Sequence, residues 1–263
     1  MNTGLLLLVV TIATALTFDF LNGFHDAANS IATVVSTRVL TPRKAVLLAA
    51  VCNFIAAWLL GTAVAKTIGK GMIRLEDVTQ FVVIAGLAGA IVWDLLTWWW
   101  GLPTSSSHAL IGGYAGAAMA RHALHRGFGT AFSVIIPEGW TKTLIFIVFA
   151  PLIGLTLALL FTSASYWLMR KAAPQTVDTL FRRLQLFSAA AYSIGHGGND
   201  AQKTMGIIAG ALYTAGYMTS TMWEATGVNT IGRLFWRRMR RLRQAPTSGA
   251  GVSSVPWVQK LPS

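Results

Sequence analysis

Long apolar runs separated by short polar stretches make up most of the chain. A transmembrane helix needs about 20 apolar residues, and four runs meet or approach that length. These runs are residues 4–20, 45–65, 81–100 and 144–169. A fifth run, residues 186–217, is apolar but interrupted by glycine and by charge, and a sixth, residues 105–120, is short enough to favour a re-entrant helix. The pattern predicts an all-α integral membrane protein.

Composition supports this class. The chain is 54% hydrophobic and 11% charged, whereas soluble domains carry about 25% charged residues. The formal net charge is +12, and the lysines and arginines lie mainly between the apolar runs and in the tail. Cytoplasmic loops and lipid phosphates explain such a distribution, so we expect a lipid bilayer as partner and no nucleic acid.

The two ends of the chain differ in character. The first apolar run has no lysine or arginine ahead of it, so it is expected to be a retained helix rather than a signal peptide. The last segment, residues 218–263, is rich in arginine and then in serine, glycine and proline. This composition predicts a basic, partly disordered tail that begins with a helix on a membrane surface.

Two of the polar interruptions share one pattern. "GFHDAANS", residues 23–30, and "GGNDAQKT", residues 197–204, align on Gly-x-[His/Asn]-Asp-Ala-x-x-[Ser/Thr]. Each motif is followed by an apolar run, which favours duplication over a chance match. Duplicated halves with glycine-interrupted apolar segments indicate a secondary transporter.

The acidic residues of these motifs are candidate ion ligands. An aspartate in hydrocarbon costs several kcal/mol unless it has partners. Asp26 and Asn29 are three residues apart, as are Asp200 and Lys203, so each pair shares a face if helical. We expect glycine to break both helices around a cavity, where carboxylates and carbonyl groups could hold a coupling cation. A solvated position at a helix end is the alternative for Asp26.

A serine-rich segment is the candidate anion site. In "GLPTSSSHALIGG", residues 101–113, Pro103 favours the start of a helix. Ser105, Ser106 and Ser107 then fall at or near its first turn. A helix N-terminus with free N–H groups and hydroxyls can bind phosphate or a carboxylate. An ordinary N-cap is the alternative interpretation.

Other polar residues in the apolar runs are less informative. We interpret His25, His108 and His196 as hydrogen-bonding residues of a pore or loop, because no cysteines or carboxylates cluster around them at metal-ligand spacing. The sequence therefore predicts neither a metal site nor a cofactor. Asp94 belongs either to the site or to the membrane interface. A membrane-embedded hydrolase using the two His–Asp motifs lacks a nucleophile, so we do not expect an enzyme.

The segments "NGFHDAANSIATVVSTRVLTPRKAV", "GLPTSSSHALIGG" and "HGGNDAQKTMGIIAG" resemble the inorganic phosphate transporter (PiT) family in its bacterial low-affinity form. The resemblance covers about residues 1–213. It implies a multi-pass inner-membrane protein, an inverted-repeat transporter with re-entrant helical hairpins and phosphate held at mid-membrane. It also implies homodimers and coupling to protons or sodium, and some members carry a divalent metal together with phosphate.

The resemblance also assigns the site residues and the repeats. The substrate-binding positions are Asp26, Asn29, Ser105, Ser106, Ser107, Asn199 and Asp200. The coupling-ion positions are Asn22, Asp26, Asp200 and Lys203. The transporter region covers residues 1–217, with a first repeat of about residues 1–170 and the start of a second at about residues 184–217.

One departure from the family pattern affects the expected activity. The family has a second serine/threonine hairpin in its second repeat, and this sequence contains only the one at residues 101–113. We therefore expect a truncated or frameshifted chain with an incomplete second repeat. A non-transporting fragment, or one that acts with another chain, is the alternative to a complete transporter.

Overall fold

The computed structural model describes residues 3–59 and 63–218, and these residues fold into helices joined by short connections. The helices are α1 (Thr3–Ser36), α2 (Pro42–Leu59), α3 (Ala63–Lys66), α4 (Gln80–Trp100), α5 (Ser106–Arg126), α6 (Pro137–Met169) and α7 (Pro174–Thr214). A π-helical turn, Thr67–Gly71, and two 3₁₀ helices, Leu75–Asp77 and Phe128–Val134, lie in the connections. The predicted tail beyond Met218 lies outside the described residues.

Among the described residues, three helices are long and apolar enough to cross a membrane, judged by length and composition: α1, α4 and α6. They contain the predicted spans 4–20, 81–100 and 144–169. Helices α1 and α6 have 34 and 33 residues, so each is about 50 Å long, and both extend beyond a hydrocarbon core of about 30 Å. The prediction of an all-α integral membrane protein is confirmed.

The remaining apolar runs differ from their predicted bounds. The predicted span 45–65 corresponds to α2 and α3, with residues 60–62 between them outside the described part. Helix α5 has 21 residues and is longer than the short segment expected at residues 105–120. It follows α4 through a turn at Gly101, whose φ of 65° is the left-handed conformation that glycine adopts readily.

The expected helix breaks at the two acidic motifs are wrong. Helix α1 runs unbroken through residues 23–30, and α7 runs unbroken through residues 197–204. Glycine in a helix interior costs only about 1 kcal/mol relative to alanine, which packing against neighbouring helices can outweigh. The backbone groups of both motifs are therefore engaged within helices, and the chemistry of the site rests on side chains.

Glycines bring the helices close together. A Cβ atom at Gly86 of α4 would lie 2.7 Å from Cα of Tyr114 in α5. A Cβ atom at Gly197 of α7 would lie 2.7 Å from Cα of Asn53 in α2. Small residues allow membrane helices to approach at such distances. These glycines therefore set the spacing of α5, which begins in the serine segment, against α4, and of α7, which carries the second acidic motif, against α2.

Apolar residues are distributed unevenly between core and surface. Phe18, Leu87 and Leu110 are buried where α1, α4 and α5 meet. Helix α6, in contrast, contains no buried residue, and large side chains such as Phe146 are exposed. An apolar surface of this extent is stable against lipid or protein rather than water.

A polar network fixes one set of connections between helices. The Nδ1 atom of His122, near the end of α5, lies 2.9 Å from Oδ1 of Asp77, and its Nε2 atom lies 3.1 Å from Oγ of Ser133. His122 is buried. The imidazole therefore joins α5 to both 3₁₀ helices, Leu75–Asp77 and Phe128–Val134.

Candidate functional site

The two acidic motifs meet in the structure. Nε2 of His196 lies 3.7 Å from Oδ2 of Asp26 and 3.2 Å from Oδ2 of Asp200. Asp26 lies on α1 and the other two residues lie on α7, four positions apart. One imidazole thus connects two carboxylates that are distant in the sequence and half-buried or buried in the fold.

Asp26 and Asn29, and likewise Asp200 and Lys203, share a helical face as predicted, and each pair is in contact. Nδ2 of Asn29 donates to Oδ1 of Asp26 at 3.3 Å. Nζ of Lys203 lies 2.5 Å from Oδ1 of Asp200. Lys203 is buried, and its ammonium group offsets one of the carboxylate charges. The carboxylate of Asp200 replaces part of the water that the buried ammonium group has lost and so stabilises its charge.

Two further residues tie the same helices together, and sequence reasoning did not assign them. Oγ1 of Thr204 on α7 donates to Oδ1 of Asp19 on α1 at 2.6 Å. Asp19 precedes Asp26 by seven residues, so both lie on one face of α1. That spacing was the signal available in the sequence. The ring of Tyr192 also stacks on His196, with centroids 5.7 Å apart.

Asp94 belongs to this cluster and not to the membrane interface. It lies on α4 and is 2% exposed, and neither carboxylate oxygen has a hydrogen-bond partner in the described part of the chain. The carboxylate lies beside Ser106 of α5, although the two side chains make no hydrogen bond of ordinary geometry. His25, Asp26 and Lys203 lie within electrostatic range. Three other helices, α1, α5 and α7, thus place polar groups around Asp94.

The serine segment divides into capping and buried residues. Oγ of Ser105 accepts a hydrogen bond from the backbone N–H of His108 at 3.4 Å, so Ser105 is the N-cap of α5. Ser106 is 1% exposed, whereas Ser107 is half-buried and Asn199 is exposed. Within the described residues neither Ser107 nor Asn199 forms a hydrogen bond to the cluster. Of the three serines, only Ser106 is placed against the buried carboxylates.

Several buried polar atoms of this region form no hydrogen bond among the described residues, although Nε2 of His196 lies at ion-pair distance from two carboxylates. They are Oδ1 of Asn22, Nε2 of His25, Oδ1 of Asn53, both carboxylate oxygens of Asp94, Oγ of Ser106 and Nε2 of His196. Buried polar side chains are normally hydrogen-bonded, so this concentration is unusual. Asn22 precedes Asp26 by one helical turn, and Asn53 packs on Gly197 beside His196. The cluster thus offers oxygen and nitrogen atoms to a small polar ligand.

The fold also creates a group able to hold a metal ion. One ligand atom each from Asp26, His196 and Asp200 lies within 4.8 Å of the others. The sequence predicted no metal site, because these residues come from two helices and show no metal-ligand spacing along the chain. Imidazole and carboxylate together suit divalent cations. The ammonium group of Lys203 competes for one oxygen of Asp200.

These features define a class of protein. Apolar helices long enough to cross a membrane carry a duplicated acidic motif, and the two copies meet in a buried polar cluster, as in secondary transporters. Comparison with protein families then places the chain: it belongs to the phosphate transporter family, whose model matches residues 22–236. The match continues past residue 213, where sequence analysis ended the resemblance.

Relatives with similar sequences carry related names. The chain is 54% identical to a probable low-affinity inorganic phosphate transporter of Rhizobium meliloti, over 82% of this chain and 63% of that protein. It is 49% identical to one of Streptomyces halstedii, over 73% of this chain and 87% of that protein. It is 32% identical to the low-affinity inorganic phosphate transporter PitA of Escherichia coli, over 93% of this chain and 55% of that protein.

A solved structure supports the fold. A protein described as the sodium-dependent phosphate transporter superposes with a TM-score of 0.63 at 20% identity, covering 80% of this chain and 68% of that one. The family and the named relatives are transporters, in agreement with the prediction that this chain is not an enzyme. The chain spans 63% of the Rhizobium meliloti protein and about half of the mycobacterial ones.

Proposed function

We propose that this chain transports inorganic phosphate across the inner membrane together with a cation, either a proton or sodium, as a multi-pass protein that forms homodimers. One observation carries the proposal: the aspartates of the two motifs meet at His196, near the buried start of α5. The family membership and the names of the relatives support phosphate as the substrate.

The charge of the cluster supports coupling to a cation. Carboxylates from Asp19, Asp26, Asp94 and Asp200 outnumber the single ammonium group of Lys203 in the described part of this cluster. A phosphate anion entering such a site is repelled unless a cation enters with it. Binding of one ion therefore favours binding of the other, which is the thermodynamic basis of symport.

We assign phosphate binding to the hydrogen-bond donors of the site and cation binding to its carboxylates. The hydroxyl groups and first-turn N–H groups of residues 105–107 donate to phosphate, and the amides of Asn29 and Asn199 add further donors. Asp26 and Asp200 bind the coupling cation beside Asn22, and Lys203 sets the charge of Asp200. The proximity of Asp26 to His196 and Asp200 supports a single cation site formed by both acidic motifs.

A divalent cation carried with phosphate is a second form of the same proposal. The grouping of Asp26, His196 and Asp200, with ligand atoms within 4.8 Å of one another, favours it. A metal–phosphate complex is neutral or nearly so, which lowers the cost of crossing a low-dielectric region. Phosphate uptake that requires a divalent cation, and radiolabelled metal that enters with it, would identify this form.

The test is uptake of radiolabelled phosphate into proteoliposomes that contain the full chain. We expect uptake driven by an inward cation gradient, and loss of uptake in Asp26→Asn and Ser106→Ala. Asp178→Asn is the matched control, because Asp178 lies on α7 but forms an exposed ion pair with Arg182, 2.8 Å away. Normal uptake by either site variant at equal expression would contradict the assigned roles.

The alternative is that the chain does not transport by itself. The presence of one serine segment in the sequence favours this alternative. It predicts that proteoliposomes containing this chain take up no phosphate even with a cation gradient, and that uptake appears only when another chain is added. Uptake by this chain alone would exclude it.

A further inference from the structure

The buried carboxyl group of Asp94 has no assigned role, and its surroundings resemble an ion-binding position. It is 2% exposed, and its neighbour Ser106 is 1% exposed. In the described residues, neither carboxylate oxygen of Asp94 has a hydrogen-bond partner, and the Ser106 hydroxyl has none either. An ionised carboxylate is costly to bury without partners. The position therefore requires a cation at the carboxylate or a proton on it.

The neighbours of Asp94 favour a proton over a metal cation. Helices α1, α5 and α7 contact α4, and His25 and Asp26 of α1 and Lys203 of α7 lie within electrostatic range of Asp94. The neighbouring oxygen ligand is one hydroxyl, that of Ser106, whereas hard metal cations prefer six or more oxygens.

We propose that the carboxyl group of Asp94 binds a proton in addition to the cation held by Asp26 and Asp200, and that Ser106 links this proton to phosphate. This inference rests on the proposed phosphate transport. When Asp94 is ionised, the Ser106 hydroxyl donates its hydrogen to the carboxylate and turns its lone pairs outward. When Asp94 is protonated, its O–H donates to Oγ of Ser106, and the Ser106 hydrogen is free to bind a phosphate oxygen.

The exchange of donor and acceptor couples the two ligands without a large movement of helices. Protonation removes a negative charge next to the anion site and supplies a hydroxyl donor to it at the same time. Phosphate in turn stabilises the protonated form of Asp94, because coupling between two ligands is reciprocal. The chain would therefore take up a proton as it binds phosphate.

The first experiment measures that proton by titrating the purified full chain with inorganic phosphate in a calorimeter. Titrations in buffers of different ionisation enthalpy give the protons taken up per phosphate. We expect native protein and Asp178→Asn each to take up about one proton more per phosphate than Asp94→Asn. The phosphate affinity of the first two should change about tenfold per pH unit, and Asp94→Asn should lose this pH dependence. Equal proton uptake in Asp94→Asn would overturn the inference.

The second experiment does not depend on phosphate binding and uses the infrared carbonyl band of protonated carboxyl groups, followed while pH is varied. Asp94→Asn should remove one titrating band, and Ser106→Ala should keep that band but shift its frequency because the hydrogen-bond partner is gone. An unchanged spectrum in Asp94→Asn contradicts the inference even if phosphate binds. Absence of phosphate binding to the native chain, with the band present, contradicts the proposed function instead.

Discussion

Replacing Gly197 with alanine tests the packing that brings the two motifs together. The added Cβ atom would lie 2.7 Å from both Cα and Cβ of Asn53 and 2.6 Å from its Oδ1. Two of these atoms belong to or adjoin the backbone of α2, so the helices must separate. His196, which immediately precedes Gly197 on α7, would then move relative to Asp26 on α1.

The magnitude follows from two opposing effects. Overpacking a close helix contact costs about 1–3 kcal/mol, whereas replacing glycine by alanine in a helix stabilises it by up to about 1 kcal/mol. Gly195→Ala is the matched control, because no atom lies within 4 Å of a Cβ placed there, and it carries the second effect alone. The difference in unfolding free energy between the two variants should therefore be about 1–3 kcal/mol.

The assay is unfolding of both variants in the same detergent, monitored by helical circular dichroism, with phosphate binding measured in parallel. We expect Gly195→Ala to be as stable as the native chain or more so, and Gly197→Ala to be less stable and to bind phosphate more weakly. Equal stability of the two variants would show that the contact between α2 and α7 is looser than the structure indicates, and the reasoning would be refuted.

Four further variants test three other sets of contacts. Thr204→Val should lower the free energy of unfolding by about 1–3 kcal/mol, because it removes the hydrogen bond to Asp19. Thr204→Ser retains the hydroxyl group and should lose less in the same unfolding assay. Lys203→Met should destabilise the chain by about 3–5 kcal/mol by removing the ammonium partner of Oδ1 of Asp200, and added acid should partly restore its thermal stability. His122→Ala should increase hydrogen exchange in both 3₁₀ helices while leaving α7 unchanged, since its two ring contacts lie there.

The site residues were partly predictable because helical spacing is local. Residues three apart share a helical face, so the contacts of Asp26 with Asn29 and of Asp200 with Lys203 follow from spacing alone. The N-cap role of Ser105 also follows from the residue type and the proline before it. No long-range information was needed for these contacts.

The helix breaks were predicted wrongly because a local preference was given too much weight. Glycine disfavours a helix by about 1 kcal/mol per residue, but Gly197 and Gly206 are also where α7 lies closest to α2 and α3. Close packing of this kind stabilises the unbroken helix. The same glycines therefore mark contact points of continuous helices.

By itself, the sequence determined the membrane class, the duplicated acidic motif and the face that each motif presents, because apolar run length and helical periodicity are properties of adjacent residues. Only the tertiary structure decided that Asp26 and Asp200 share His196, that Thr204 binds Asp19, and that Asp94 lies beside Ser106. Each of these contacts joins different helices. Their formation depends on how closely the helices pack, which the order of residues along one helix does not specify.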